Sequence, residues 1–370
     1  MNVDVDRLWR RFERFVAADT LVPEGENRVD PLDPRLTRFA HDVAAPAFEE
    51  LGGKVEIDRM NNVVARFGER TGDELLLLAY PALHHGNEME DPLRARRVHA
   101  DTGELWVGLG ASQSKGGLAA ICEALSSVRD PGGRVLVGIC SEGSSTHESS
   151  AVLYESLDPL PAGAVLTVGT RNRISLGNRG RVDVVVEIQG EPTHSSVADE
   201  LGRNPIPVVA EVQRRIEALE LDPTPHPLLG RRSILPYKLT CGPIAPHTIP
   251  AWCLLVLDRR LLPGDDPDDA VAEVAAVLDG LDVTVRRGAT MLPALVEEDA
   301  VVVRRLKRHR RLETFYPRST FDAGYACSIG VPTVMCGPLS GELDTTGVLG
   351  DDFVSREQLV EATAIYAAAL

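Results

Sequence analysis

Side chains capable of chemistry are grouped in a few short segments of this sequence. Ser112 and Lys115 lie in the run GLGASQSKGG at 108–117, and a Ser-x-x-Lys spacing is typical of a serine nucleophile with a lysine base. The run lacks the third glycine of a dinucleotide-binding loop and the Gly-Lys-Ser/Thr ending of a Walker loop, which excludes both nucleotide motifs. A glycine turn that leads into a helix explains the same residues, so the run by itself leaves both interpretations open.

Histidine and carboxylate side chains form a second group. His84, His85 and Glu88 follow an apolar run at 75–80, and His147 comes shortly after Glu142. Histidine and carboxylate groups within one or two turns of chain bind zinc or manganese. Adjacent histidines in a polar loop are also commonly just exposed, so a metal site and a solvated loop both remain open.

Short apolar runs predict the strands that must position these groups. The runs at 75–80, 134–140 and 164–168 show no alternation, which is typical of strands covered on both faces. Helical periodicity occurs before and between these runs, at 5–18, 34–51, 115–128 and 149–156. Covered strands that alternate with helices indicate an α/β sheet.

The pattern changes between about 180 and 290. The predicted elements there follow the order β-α-β-β-α-β, which is that of a ferredoxin-like split βαβ unit. Beyond this region the first pattern returns, with a predicted helix at 299–311, a strand at 332–336 and a helix at 356–369. We therefore predict a discontinuous α/β domain over 1–179 and 291–370, interrupted by an α+β unit over 180–290.

The composition limits the partners of the protein. The 370 residues carry 39 basic and 55 acidic side chains, so the formal net charge is −16. Nucleic acids and anionic membranes attract positive charge, so we expect neither as a partner. No apolar run approaches the roughly 20 residues of a membrane helix, and the N-terminal MNVDVDRLWRRF lacks the pattern of a signal peptide. We expect a cytoplasmic protein that acts on a small molecule.

The six cysteines lie at 122, 140, 241, 253, 327 and 336 and include no Cys-x-x-Cys pair. In a chain without a secretory signal, this scattered spacing favours thiols over a disulfide framework. We therefore predict that all six are reduced and mostly structural.

Five segments carry a further pattern when they are taken in chain order. They are LLLLAYPALHHGNEMEDP at 75–92, GLGASQSKGGLAA at 108–120, LGNRGRVDVVVEIQGEPTHSS at 176–196, APHTIPAWCLLVLDRRLLPGD at 245–265 and FDAGYACSIGVPTVMCGP at 321–338. An acidic stretch, DDFVS at 351–355, then leads into the last helix. Together they resemble the zinc-dependent amidohydrolase and exopeptidase family of acetylornithine deacetylase, succinyl-diaminopimelate desuccinylase and glutamate carboxypeptidase. The resemblance implies an α/β domain of the zinc-exopeptidase (phosphorylase/hydrolase-like) type with an inserted ferredoxin-like lid domain, through which the family forms homodimers.

The family's metal ligands have no counterpart in this sequence. Its members hold two zinc ions with His, Asp and Glu side chains, beside a glutamate that acts as the base. The motifs place Tyr80, Gln113 and Thr170 at ligand positions, and the last histidine of the family falls near Val348. A phenol, an amide and a hydroxyl are poor zinc ligands. We therefore predict no metal and no other cofactor, unless zinc is held by relocated ligands, and we assign Tyr80, Gln113 and Thr170 to substrate binding.

Other residues match functional positions of the family. Glu142 stands where the family has its base, and His194 in GEPTHSS matches the lid histidine that polarises the scissile carbonyl. Asn204 and Arg259 match lid positions associated with the substrate's carboxylate, and His247 replaces an asparagine before Ile-Pro. The resemblance thus implies Glu142 and His194 as catalytic residues. It also implies that Asn204, His247 and Arg259 bind a substrate that carries a carboxylate.

Three functions remain open at this point. The first is a metal-independent enzyme that acts on an amide or an N-acylated amino acid, with Glu142 as general acid and base. The second is a metal-dependent hydrolase whose ligands have moved to His84, His85, Glu88 or His147. The third is a non-catalytic protein that binds a small ligand or a partner in the former active-site cleft.

Overall fold

A computed structural model describes residues 3–23, 26, 29–69, 74–81, 89–128, 134–141, 146–340 and 352–370. The chain forms two units, one of Met1–Asn178 with Ala294–Leu370 and one of Arg179–Pro293. We call them the α/β unit and the lid unit. The predicted insertion, 180–290, falls within the lid unit.

The described residues form the following helices and strands. The helices are α1 (Val5–Val16), α2 (Pro34–Arg38), α3 (Ala45–Glu49), α4 (Lys115–Ser127), α5 (Glu148–Glu155), α6 (Ala198–Leu201), α7 (Ile206–Glu217), α8 (Pro267–Val277), α9 (Val301–Leu306), α10 (Ala323–Ser328) and α11 (Arg356–Ala369). The strands are β1 (Lys54–Ile57), β2 (Val63–Phe67), β3 (Leu75–Ala79), β4 (Arg96–Ala100), β5 (Gly103–Val107), β6 (Val135–Ile139), β7 (Gly163–Leu166), β8 (Ile174–Ser175), β9 (Gly177–Asn178), β10 (Gly180–Gln189), β11 (Ser233–Gly242), β12 (Trp252–Leu261), β13 (Thr284–Met291), β14 (Ala294–Leu295), β15 (Thr314–Phe315), β16 (Thr333–Met335) and β17 (Phe353–Ser355). In the described part of the chain, no helix is both long enough and apolar enough to cross a membrane.

The α/β unit is built around a sheet of eight described strands in the order β1-β2-β6-β3-β7-β16-β8-β15. Strand β3 pairs in parallel with β6 and β7, and β16 pairs in parallel with β7. Every residue of β3 and β6 is buried, because apolar clusters cover the sheet on both faces. The α/β class predicted from the unalternating apolar runs is therefore confirmed.

The helix predicted over 34–51 is continuous but not uniform. Asp33 begins it by accepting a 2.8 Å hydrogen bond from the Arg35 N–H, and a π-helical turn over Phe39–Ala44 separates α2 from α3. Pro46 has no N–H to donate to the carbonyl four residues earlier, so the regular ladder cannot run through this point. Periodicity did not predict the π turn because Phe39, Ala40 and Phe48 still face the core.

Two other parts of the α/β unit differ from prediction. The helix predicted over 299–311 ends at Leu306, because the following residues add cations three and four positions apart, which repel one another. Strands β4 and β5 form an antiparallel hairpin that was not predicted. Strand β4 is mostly exposed, so its sequence lacks the apolar face on which a strand prediction depends.

The lid unit has the predicted β-α-β-β-α-β order, with a four-stranded antiparallel sheet arranged β11-β12-β10-β13. Helices α7 and α8 cover one face through an apolar cluster that includes Val184, Val212, Leu257 and Val274. This strand order and connectivity confirm the predicted ferredoxin-like unit.

One cysteine prediction is wrong. Cys241 and Cys253 form a disulfide in the lid unit, whereas Cys122, Cys140, Cys327 and Cys336 are free thiols. The two bonded cysteines lie directly opposite each other in the pairing of β11 with β12, with their Cα atoms 4.1 Å apart. Sequence spacing does not reveal cross-strand register, so the pairing could not be predicted. Cysteine usage therefore no longer argues for a reducing compartment.

Candidate active site

The parallel strands of the α/β unit bring several of the predicted residues to one edge of the sheet. Tyr80 follows β3, Ser141 follows β6 and Thr170 follows β7. Because β3 pairs in parallel with both β6 and β7, the carboxyl ends of these strands lie at the same edge. Ligands of open α/β sheets bind beside this edge, so it is the candidate site of the α/β unit.

Tyr80 is fully buried at this edge, at 0% exposure. Burial, together with the nearby negative charge of Asp322, raises the pKa of its phenol well above the ordinary value. The side chain is therefore a neutral phenol at physiological pH, and the predicted role of Tyr80 in substrate binding stays a prediction.

Asp322 is a buried acid in the segment at 321–338, and the resemblance assigned it no role in the site. Its Oδ1 lies 3.2 Å from His147 Nδ1, and its Oδ2 lies 3.8 Å from Cys140 Sγ. The Asp322 side chain is only 1% exposed and that of His147 is 12% exposed, while the Tyr325 ring lies 5.7 Å from the imidazole. A carboxylate in this position orients an imidazole and fixes its tautomer, which is the arrangement used to make histidine a general base. The feature of the sequence that could have identified Asp322 is an acidic residue immediately before a short helix, here α10.

Ser141, the residue before Glu142, is held by a buried network. The Asn62 Oδ1 accepts from the Ser141 N–H at 2.9 Å and from the Ser149 hydroxyl at 2.5 Å, and Asn62 Nδ2 donates to Asp58 at 2.7 Å. Asn62 is 0% exposed, so these bonds are formed away from solvent. Glu142 itself lies outside the described residues, as do His84, His85 and Glu88.

Asp352 holds the loop that carries Gln113. Its carboxylate accepts from the Gly110 N–H at 2.7 Å, from the Ser112 N–H at 3.0 Å and from the Ser112 hydroxyl at 2.7 Å. Asp352 belongs to the acidic stretch before α11, so this contact connects the last helix to the glycine-rich loop. Gln113 is half-buried, and its predicted role in substrate binding stays a prediction.

The pairing of Ser112 with Lys115 as nucleophile and base finds no support. Ser112 donates to Asp352, whereas Lys115 Nζ donates to the carbonyls of Ala18 at 2.7 Å and Val16 at 3.4 Å at the end of α1. Burial lowers the pKa of Lys115 to about 7, an effect that the charges of Asp19 and Asp352 oppose. The run at 108–117 is therefore a glycine turn that leads into helix α4, which was the alternative interpretation.

Thr170 forms a structural contact. Its hydroxyl donates to the Arg173 carbonyl at 2.6 Å and accepts from the Gly337 N–H at 3.1 Å, and the residue is 1% exposed. These bonds join the segment after β7 to the segment after β16. They engage the hydroxyl inside the protein and give no support to its predicted role in substrate binding.

His194 and His247 lie together in the lid unit, on two loops that are bonded to each other. The Ser195 N–H donates to the His247 carbonyl at 2.7 Å, the Ile249 N–H donates to the Thr193 carbonyl at 3.0 Å, and the two imidazole centroids are 6.0 Å apart. His247 has a φ of 54°, in the left-handed region that few side chains adopt, so its conformation is imposed by these contacts. Both histidines are exposed.

The tautomer of His194 follows from its own hydrogen bonds. The Ser196 N–H donates to His194 Nδ1 at 3.2 Å, and the Ser196 hydroxyl lies 2.8 Å from the same nitrogen. Since Nδ1 accepts a backbone N–H, the neutral ring carries its proton on Nε2. The far end of this exposed ring is therefore a hydrogen-bond donor.

Asn204 and Arg259 do not lie side by side in the lid unit, and their predicted role in binding the substrate's carboxylate stays a prediction. Arg259 is 4% exposed, forms a 3.0 Å ion pair with Glu273 of α8, and pairs in register with Val182. Asn204 lies just before α7, where its Oδ1 accepts from the Ile206 N–H at 3.1 Å, beside Gly190. Eight residues of extended chain separate Val182 from Gly190, or roughly 26 Å at the rise of a strand. Asn204 and Arg259 therefore lie at opposite ends of the lid sheet.

The described groups at the positions that the resemblance assigned to metal ligands do not fit a di-zinc centre. Tyr80 is a neutral buried phenol, Gln113 is an amide and the Thr170 hydroxyl is engaged within the protein. Zinc prefers imidazole, thiolate and carboxylate ligands. In the ranges that the structure describes, no group of three or more His, Cys, Asp or Glu side chains is placed to bind a metal ion.

Comparisons with known proteins agree with this architecture. Residues 176–284 match the peptidase dimerisation domain of the M20 family. The chain is 26% identical over 273 residues to the protein YgeY of Escherichia coli (strain K12), and the match spans 65% of each chain, so it covers less than two thirds of that relative. It is 27% identical over 212 residues, or 57% of each chain, to a protein of Pyrobaculum aerophilum named as a LysW-lysine/LysW-ornithine hydrolase.

A solved structure has the same fold. The crystal structure of the M20 family metallo-carboxypeptidase Sso-CP2 from Sulfolobus solfataricus superposes with a TM-score of 0.73 at 16% identity, and the match covers 100% of this chain and 98% of that one.

Proposed function

We propose that this chain, which has the fold of the M20 peptidases and carries their dimerisation domain, hydrolyses the amide bond of an N-acylated amino-acid-like small molecule. The observation that carries the proposal is the tautomer and exposure of His194, whose Nε2–H is available to a substrate carbonyl. The hydrolase named in Pyrobaculum aerophilum supports the same reaction class.

In the proposed reaction, Glu142 is the general base and then the general acid. It takes a proton from water as the water oxygen bonds to the carbonyl carbon, and it returns that proton to the amine nitrogen as the C–N bond breaks. The bonds that hold Ser141 support this role, because they fix the backbone immediately before Glu142. The pair of His147 with Asp322 supplies a second oriented base on the same unit.

His194 would stabilise the oxyanion that forms during the attack. Its Nε2–H donates to the carbonyl oxygen as negative charge develops there, and one such donor typically contributes about 10²–10³ in rate. The contact of the two lid loops supports the assignment, because a donor that is already oriented costs no reorganisation during the reaction.

We propose that the reaction uses no di-zinc centre. The support is the donor set itself, because a neutral phenol, an amide and an engaged hydroxyl do not provide the charged ligands that two zinc ions need. The steps above are therefore assigned only to side chains of this chain.

Activity toward a panel of N-acyl amino acids and dipeptides, with and without EDTA, tests this function. We expect Glu142→Gln to lose activity by at least about 100-fold, while EDTA leaves wild-type activity intact. Glu49→Gln is the matched control, since Glu49 is exposed and distant in sequence from every predicted site residue.

Each contrary result has a distinct meaning. Full activity in Glu142→Gln would contradict the role of this residue. Loss of activity in EDTA that zinc restores would support relocated metal ligands instead. Thermal stabilisation by a panel member without turnover would indicate a non-catalytic binding protein.

We further propose that the lid unit forms a homodimer along β11. This strand lies at the edge of the lid sheet, and Leu235, Tyr237 and Leu239 are 64%, 43% and 54% exposed. An edge strand with exposed apolar side chains is a template for pairing with another copy.

Light scattering on a Leu235→Lys/Leu239→Lys variant tests this dimer, and we expect a monomer. The matched control is Leu201→Lys, at a 70% exposed leucine elsewhere in the lid unit, which should leave the dimer intact. A monomeric wild-type protein would contradict this proposal without affecting that of hydrolysis.

A further inference from the structure

A basic cavity of about 870 Å³ lies in the α/β unit, between the turn after β7 and the segment after α9. Its lining includes the cationic side chains of Arg171, Arg173, Lys307, Arg310 and Arg311. Among the residues that the structure describes, the carboxylates in this lining are those of Glu298 and Glu313. The excess of positive charge is unexpected in a chain whose net charge is −16. The volume is in the range of cavities that bind small molecules, about 300–1,000 Å³.

The turn that carries two of these cations has a costly backbone conformation. Arg171 and Asn172 have φ values of 57° and 55°, and each left-handed residue of this kind costs about 1–2 kcal/mol. The turn is held in place because the N–H groups of Thr170 and Asn172 both donate to the Gly337 carbonyl at 2.9 Å. Asn172 Nδ2 also donates to the Gln358 carbonyl at 3.0 Å. The fold therefore presents Arg171 and Arg173 at the cavity in a fixed arrangement.

The positive charge on the opposite side of the cavity is only partly neutralised. Six of the eight residues at 304–311 are Arg or Lys, and none is acidic. Arg310 pairs with Glu361, but Lys307 and Arg311 form no ion pair with any residue that the structure describes. Cations this close repel each other, so an anion between them would relieve the repulsion.

Asn172 supplies a second kind of recognition. The residue is 1% exposed and lines the cavity, and its Oδ1 accepts no hydrogen bond from the described residues. A buried carbonyl oxygen without a donor costs free energy, which a ligand N–H or hydroxyl would recover. Arg173 is meanwhile held against the Phe315 ring, 4.3 Å from its centroid, so that its planar guanidinium is oriented.

We propose that this cavity binds a small organic polyanion, which carries at least two phosphate or carboxylate groups together with an N–H or hydroxyl donor. Phosphate and carboxylate groups both match the planar fork of an Arg guanidinium, so the arginines of this cavity suit either group. The described lining includes neither His194 nor the pair of His147 with Asp322. The two proposals therefore rest on different residues, and either can fail without the other.

Isothermal titration of the full-length protein with ATP, citrate and adenosine tests the proposal. We expect ATP or citrate to bind with a Kd below about 1 mM at about 50 mM NaCl, and to bind more weakly at about 300 mM NaCl because salt screens the charges. Stronger binding of ATP would assign phosphate as the preferred anion, and stronger binding of citrate would assign carboxylate.

Two variants test whether binding depends on the cavity or on the basic surface around it. Lys307→Gln/Arg311→Gln removes two lining cations that form no ion pair, and we expect binding to weaken by about tenfold or more. Arg308→Gln is the matched control, because Arg308 lies in the same basic segment, is exposed and does not line the cavity. An unchanged melting temperature in both variants verifies that they are folded.

Several results would overturn the proposal. These are no saturable binding of ATP or citrate at millimolar concentration, equal binding by the double variant and the wild type, or adenosine binding as tightly as ATP. Tighter binding of a single-stranded RNA oligomer than of ATP would also overturn it, in favour of a nucleic-acid surface.

Discussion

The α/β unit and the lid unit use their polar side chains in opposite ways. In the α/β unit, Tyr80, Asp322 and Asp352 are at most 2% exposed and interact with other groups of the protein. In the lid unit, His194, His247 and Asn204 are exposed and lie on loops held by backbone hydrogen bonds. The resemblance implied functional residues in both units. The contacts indicate that these three polar groups of the α/β unit are buried within the fold, whereas the three of the lid unit remain accessible to a ligand.

The largest expected effect is on stability, in the α/β unit. Glu123 is 0% exposed and accepts from Arg7 at 2.7 and 2.8 Å and from Arg11 at 2.8 Å. Glu123→Gln leaves two guanidinium groups without their buried counter-charge, so we expect the free energy of unfolding to fall by about 3–5 kcal/mol in urea titration. Glu49→Gln, at an exposed acid, should change it by less than about 0.5 kcal/mol. A loss below about 1 kcal/mol for Glu123→Gln would contradict the contrast between the units.

The second prediction concerns catalysis in the lid. His194→Ala removes the proposed oxyanion donor, so we expect kcat/KM to fall by about 100-fold with no change in the free energy of unfolding. The matched control is His41→Ala, at an exposed histidine of the α/β unit. If His194→Ala lowers stability and activity together, then His194 is structural and the two units do not differ in this respect.

The third prediction concerns the pH dependence of stability. Burial lowers the pKa of Lys115 to about 7 from an ordinary value of 10.5, so between these values the unfolded chain binds the proton that the folded chain has released. This residue therefore makes stability rise with pH from about 7 to about 10, by at most about 1.4 kcal/mol per pH unit. Urea titrations of the wild type and Lys115→Met across this range measure the effect as the difference in slope. Equal slopes would show that Lys115 is charged in the folded state.

The smallest expected effect tests Asn204. Its Oδ1 accepts one hydrogen bond from the Ile206 N–H just before α7, so Asn204→Ala should cost about 0.5–1 kcal/mol of stability. If Asn204 also binds the substrate's carboxylate, KM should rise in both Asn204→Ala and Asn204→Asp. Asn204→Asp keeps an acceptor for the Ile206 N–H, but its negative charge repels the substrate's carboxylate. An unchanged KM in both variants would leave Asn204 with the structural role alone.

The sequence was most informative where local patterns determine the structure. The unalternating run of β3 requires cover on both faces, and the order of elements in the lid unit is a local property of the chain. The sequence was least informative where a residue depends on a partner far along the chain. Asp352 bonds Ser112 across 240 residues, and Asp322 bonds His147 across 175. Neither partner is visible in the spacing of either residue.

Arg259 illustrates the same limit at short range. The motif around it reads Asp258-Arg259-Arg260, and adjacent residues of a strand point to opposite faces of its sheet. Arg259 pairs with Glu273 under α8, while Arg260 pairs with Asp258 on the other face. The motif alone does not say which arginine faces the helices, because this depends on which face of the lid sheet is covered.

The sequence by itself determined the α/β class, the ferredoxin-like insertion and the residue types at the positions that the resemblance assigned to metal ligands. Periodicity, element order and side-chain chemistry are all local properties of the chain. Only the tertiary structure decided which polar groups are buried and engaged, which histidine nitrogen carries the proton, and that Cys241 faces Cys253. Burial, hydrogen-bond partners and strand register arise when distant segments pack together. They therefore depend on positions in space that no single segment of the sequence specifies.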